Sequence, residues 1–214
     1  MRPAACQHRA MSVLLEMRVF ELLAARLCHE LVGPVAAIGN GVELLGEDDP
    51  QFVAEAQALV GTSARQAGSR LQFYRFAYGF GRGGDLTGPA PHELVASLFN
   101  ETRIGCDYRA GARALPLEWQ KLACNLAVLA AEALPRGGRL VVDADALGPS
   151  VEGFGEAAGL SPEARAALAL TAPIGELTSR TAQAYFTGLL ARSLGCRLVD
   201  MPGEEGGFRV AAAR

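Results

Sequence analysis

Apolar positions follow one rhythm in the first third of the chain and another in the rest. From about Leu14 to Leu45 they return every three or four residues, at Phe20, Leu23, Leu27, Leu31, Ile38, Val42 and Leu45. That spacing lines one face of a long helix. Gly46-Glu47-Asp48-Asp49-Pro50 then supplies a helix stop and a proline for the next start. A second helix is expected from about Gln51 to Tyr78, with Phe52, Leu59, Val60, Ala67, Leu71 and Tyr74 along its apolar side. Two antiparallel helices joined by a short turn form a helical hairpin. Its core is too narrow to stand alone, so pairing with a second copy into a dimeric four-helix bundle is expected.

After Tyr78 the pattern breaks. Gly81, Gly83, Gly84, Gly88, Pro89 and Pro91 mark a linker over 81–91. A short helix (92–100), a strand near Ile104–Tyr108, a long helix (117–134) and a strand (139–145) are expected to follow. Next come a short strand near 151–156 and a helix capped by Ser161 with Pro162 in its first turn. A last helix (179–194) and a hairpin of 197–201 with 208–212 end the chain. Mixed helices and strands without regular βαβ alternation give an α+β chain whose second part is an α/β two-layer sandwich. The expected organisation is an extension (1–13), the hairpin (14–80), the linker (81–91) and the sandwich (92–214).

Composition narrows the function. Of 214 residues half are hydrophobic and 20% charged, which excludes intrinsic disorder. The 20 basic and 23 acidic residues are spread along the chain, so no nucleic-acid partner is expected. Apolar runs are interrupted by Arg, Glu or Gly short of the roughly 18–20 residues of a membrane span. Residues 1–10 lack the apolar segment of a secretory signal. A cytoplasmic protein with no membrane partner is therefore expected. Five irregularly spaced cysteines without a CxxC, and three scattered histidines, suggest reduced structural thiols and no metal site.

One histidine stands apart. On a wheel of about 100° per residue, Leu27, Leu31, Ile38, Val42 and Leu45 share a sector, and His29 falls on the opposite side. Its neighbours are Gly33 one turn on and Ala36 two turns on, with Arg26 one turn back. A solvent-facing imidazole, substantially neutral near pH 7, can accept a phosphoryl group on a ring nitrogen. Small neighbours leave room for another protein's active site. Glu30, next in sequence, is placed to orient the imidazole or manage its proton.

His29-Glu30-Leu31-Val32-Gly33-Pro34 resembles the H-box of two-component histidine kinases, H-[ED]-x-x-x-P. Three longer blocks resemble the ChpT family of alphaproteobacterial histidine phosphotransferases: 27–45, Phe73-Tyr74-Arg75-Phe76-Ala77-Tyr78-Gly79, and Gln183-Ala184-Tyr185-Phe186-Thr187-Gly188-Leu189-Leu190-Ala191-Arg192. The resemblance spans about 17–214. It implies a dimerisation hairpin followed by a histidine-kinase-ATPase-like sandwich, with His29 as the phosphoacceptor and a bend at Pro34.

The second half departs from a working ATP-binding domain. Residues 120–135 have the outline of the N-box, with Asn125 at its first Asn. Leu129 occupies the place of the second, whose amide would hold Mg²⁺, and an isobutyl group cannot coordinate a hard cation. The D-x-G-x-G box and a Gly-rich lid are missing as well. Position 33, where phosphatase-competent kinases carry Asn or Thr, is glycine, which disfavours phosphatase activity.

The resemblance therefore implies a protein histidine phosphotransferase without autokinase activity. His29 would receive its phosphoryl group from the receiver domain of a hybrid kinase of the CckA type. It would pass the group to response-regulator receivers of the CtrA and CpdR types, which supply the Mg²⁺; no cofactor of its own is expected. The docking face would comprise Leu22, Arg26, Val32, Gly33, Ala36, Phe76 and Tyr78, with Leu22 and Val32 exposed. Two rival readings are a divergent ATP-binding histidine kinase and a non-catalytic pseudo-kinase that binds response regulators.

Overall fold

The computed structural model describes residues 16–79 and 88–213. The whole of the 1–13 extension and most of the 81–91 linker thus lie outside the described residues. Two long helices come first, α1 (Met17–Leu44) and α2 (Pro50–Tyr78). The Asp49 carboxylate caps α2 by accepting from the Gln51 amide at 2.8 Å, and Pro50 opens the helix where its missing N–H has no cost. Glu30 lies opposite Arg70 and Gly41 opposite Val60, so the helices run antiparallel. Gly41 allows their closest approach: a Cβ there would stand 2.6 Å from a Val60 methyl and 3.3 Å from the Ala56 carbonyl oxygen.

The rest is a sheet with helices packed on it. The strands are β1 (Ile104–Tyr108), β2 (Gly138–Asp145), β3 (Gly148–Phe154), β4 (Arg197–Pro202) and β5 (Phe208–Ala213). Their order is β1-β2-β3-β5-β4, with β1 and β2 parallel and every other pair antiparallel. The helices are α3 (Pro91–Phe99), the single turn α4 (Ala110–Arg113), α5 (Leu117–Glu132), α6 (Pro162–Leu168) and α7 (Ala182–Ser193). Ser161 caps α6 as expected, accepting from the Ala164 amide at 3.1 Å.

The sequence missed α4 and placed β3 too late. Gly148 opens that strand at φ +138°, in a conformation only glycine adopts freely, directly after the turn from Asp145. Pro149 falls outside the β3–β5 ladder, which begins at Ser150, so a proline is tolerated there.

One hydrophobic core runs through both parts. Val19, Leu22 and Leu23 of α1 and Phe73, Tyr74 and Ala77 of α2 join it with Leu122 and Leu126 of α5 and Leu140 and Val151 of the sheet. Every residue of α5 from Leu122 to Ala130 is buried, because the sheet, α7, α3 and the hairpin helix α2 enclose it.

The far end of the hairpin is bare. Val42 (54%) and Phe52 (53%), expected in a core, are exposed in the single chain, as are Leu45 and Leu59; Leu71, near the sandwich end of α2, is exposed too. By length and composition α1 could cross a membrane: an 18-residue stretch averages a hydropathy of 1.3, of which 17% is buried. An average of this kind does not require an unbroken apolar run, so the charged residues and glycines of α1 are compatible with it.

Candidate functional site

His29 lies midway along α1 with its side chain exposed, as the wheel predicts, and no described residue hydrogen-bonds its ring. Around it α1 offers little bulk. Val32 is 63% exposed, Ala36 is exposed, and a Cβ added at Gly33 would meet nothing within 4 Å. Glycine in a helix interior is about 0.5–1 kcal/mol less favourable than alanine. No packing among the described residues demands it at position 33.

The turn that carries His29 is held from α2. Pro34 lies inside α1 and has no N–H to give the Glu30 carbonyl four residues earlier. The Arg70 guanidinium donates to that carbonyl instead, and its Nε lies 3.8 Å from the Glu30 carboxylate. Glu30 is thus turned to α2. Successive helical side chains diverge by about 100°, which separates Glu30 from its neighbour His29. Sequence reasoning missed Arg70, although a mid-helix proline signals a carbonyl in need of a donor.

Four expected docking residues are engaged elsewhere. Leu22 is buried in the shared core, 9% exposed, and Arg26 has a side chain only 11% exposed that pairs with the Glu132 carboxylate at the end of α5. Burial is the largest influence on Arg26 and opposes its charge, but the Glu132 carboxylate together with Tyr74 and Tyr78 outweighs it and holds the guanidinium protonated beyond its ordinary range. Phe76 and Tyr78 are half-buried; Tyr78 packs edge-on against Phe186 at 5.3 Å and donates from its hydroxyl to Gln183 at 2.6 Å. Burial raises the Tyr78 phenol well above the usual tyrosine range. A wheel drawn for α1 or α2 alone shows none of this, because the covering groups come from α5 and α7.

In the N-box-like segment, Asn125 has a structural role. Asn125 is fully buried; its amide donates to the Ala77 carbonyl at 3.1 Å and the Lys121 carbonyl at 2.9 Å, and its Oδ1 accepts from Gln183 at 3.0 Å. Leu129 is a core residue, 2% exposed. Gly153 sits within β3 under the Phe208 ring, which occupies the place of a Cβ. Among the described residues, no three of His, Cys, Asp and Glu converge as metal ligands.

Known proteins share this sequence and fold. A family model described as "Histidine phosphotransferase C-terminal domain" matches residues 90–205. The protein phosphotransferase ChpT of Brucella abortus (strain 2308) is 30% identical over 184 residues, covering 83% of this chain and 87% of that protein. A solved bacterial phosphotransferase structure superposes with a TM-score of 0.76 at 28% identity, covering 94% of this chain and 98% of that one. The chain belongs to the ChpT family of histidine phosphotransferases.

Proposed function

We propose that this protein is a phosphorelay carrier, with His29 taking a phosphoryl group from one receiver domain and giving it to another. The observation that carries the reading is the bare imidazole with Val32, Gly33 and Ala36 open around it. The lone pair of a ring nitrogen forms the P–N bond while the P–O bond to the donor aspartate breaks and its carboxylate leaves; the reverse step reloads an aspartate. Receivers contribute the aspartate, the Mg²⁺ and most of the charge stabilisation. The donor would be a hybrid kinase of the CckA type and the acceptors response regulators of the CtrA and CpdR types.

ATP has no part in this reaction. Leu129 offers a cation no oxygen, and the Asn125 amide is committed to Ala77 and Gln183. The chain works as a cytoplasmic homodimer, in which a second hairpin covers the face around Val42 and Phe52.

The test is phosphotransfer with purified protein, supplied first with labelled ATP alone and then with a phosphorylated receiver. Acid-labile label arriving only from the receiver, and lost in His29→Ala, is the expected result. Label from ATP alone would make the protein an autokinase. No label from either source, with receivers still bound, would favour the non-catalytic pseudo-kinase.

A further inference from the structure

The hairpin and the sandwich are tied by polar groups in a belt around their junction. Arg26 of α1 pairs with Glu132 of α5, and Arg18 of α1 donates to the Leu177 carbonyl at 3.5 Å. From α2, Tyr78 donates to Gln183 of α7, the Ala77 carbonyl accepts from Asn125 of α5, and the Gly79 carbonyl accepts from Lys121 of α5. Both hairpin helices are therefore fastened at more than one point, and the core beneath them is continuous. A sandwich held this way cannot swing about the end of α2.

The Arg26 pair is a poor device for stability alone. Its Nε is buried without a partner, and buried ion pairs are often no better than apolar side chains of the same volume. What an ion pair adds is a fixed geometry. The clamp also lies on the sector of α1 that carries His29: Leu22 is seven residues before the histidine and Arg26 three, about 20° and 60° round the helix from it. The rim of the sandwich at Glu132 thus borders the surface on which a partner reaching His29 must land.

We infer that Arg26 and Glu132 are positioning residues, which hold the sandwich at one angle beside His29 so that hairpin and sandwich present a single preformed docking surface to the receiver. This rests on the reading of His29 as phosphoacceptor. A preformed surface spares the partner the loss of freedom that ordering two loose parts would require.

The experiment compares wild type with Glu132→Gln in two reactions on the full-length protein. Potassium phosphoramidate labels His29 chemically and needs no docking; a phosphorylated receiver needs it. The expected result is unchanged labelling by phosphoramidate and a KM for the receiver raised about tenfold or more, equivalent to ~1.4 kcal/mol of docking. The charge-exchanged pair, Arg26→Glu with Glu132→Arg, should recover most of the loss, as coupled residues do in a double-mutant cycle. If Glu132→Gln fails to fold, Arg26→Lys replaces it, since lysine keeps the charge but not the planar fork. A receiver KM unchanged in a folded variant overturns the inference and leaves His29 as phosphoacceptor. Wild-type protein that takes label from neither donor overturns both.

Discussion

Pro34 and Arg70 form a pair that neither residue explains alone. The proline removes a hydrogen bond one residue beyond His29, and the arginine restores it from the neighbouring helix. Arg70→Met should therefore leave the Glu30 carbonyl and carboxylate unsatisfied and lower stability by about 1–3 kcal/mol, read from urea unfolding. Gly33 should behave in the opposite sense. Gly33→Ala gains about 0.5–1 kcal/mol of helix stability, yet it places a methyl group one turn from the imidazole. A raised melting temperature together with slower transfer from a phosphorylated receiver is the expected outcome. His29, Gly33 and Pro34 were legible as a short motif on an otherwise apolar helix. Arg70 was not, because the proline announces that a donor is needed without saying where in the chain it comes from.

Among the elements, the hairpin and the span of α5 (117–134 expected, Leu117–Glu132 observed) both read well, but the burial of α5 did not. The spacing of Leu27, Leu31 and Ile38 marks one side of α1, and Asp49-Pro50 marks the start of α2. Gly41 sets how closely the two helices approach. Gly41→Ala would drive a methyl group into Val60 and the Ala56 carbonyl, so despite its better helix propensity it should destabilise the hairpin by about 1–3 kcal/mol in thermal unfolding. In α5 no periodicity exists to be read, since its whole central stretch is buried. Leu129→Ala should cost about 2–5 kcal/mol through the cavity it leaves, while transfer from a receiver persists at temperatures where the variant is folded. Loss of transfer without loss of stability would give position 129 a part in the reaction.

Across the whole molecule, one surface and one core set its solution behaviour. The bare apolar face at the far end of the hairpin predicts a mass in light scattering of twice the 22.4 kDa chain, and Val42→Glu should lower it towards the monomer. The core predicts a pH dependence. Burial, with help from the Asp107 charge, pushes the Cys106 thiol up to about 12, from 9.0 in the unfolded chain. Burial also raises Cys124, Tyr108 and Tyr78. Above pH 9 the unfolded chain releases protons that the folded one retains. The stability present below that pH is therefore lost as pH climbs toward 12. The melting temperature should fall steadily from pH 9 upward, and less steeply in Cys106→Ala.

The chain by itself determined most of the helices and strands, the turn that begins α2, the exposed histidine and the likeness of 120–135 to an N-box. Each of these depends on residues close together in sequence, where periodicity, capping and backbone chemistry act. Only the tertiary structure decided that Leu22 is buried, that Arg26 meets Glu132, that Tyr78 bonds Gln183 and that Asn125 fastens the hairpin to the sandwich. Those contacts join residues tens to more than a hundred positions apart, and which of them meet is set by how a continuous core packs. A helical wheel gives the direction in which a side chain leaves its own helix; what waits there belongs to the fold.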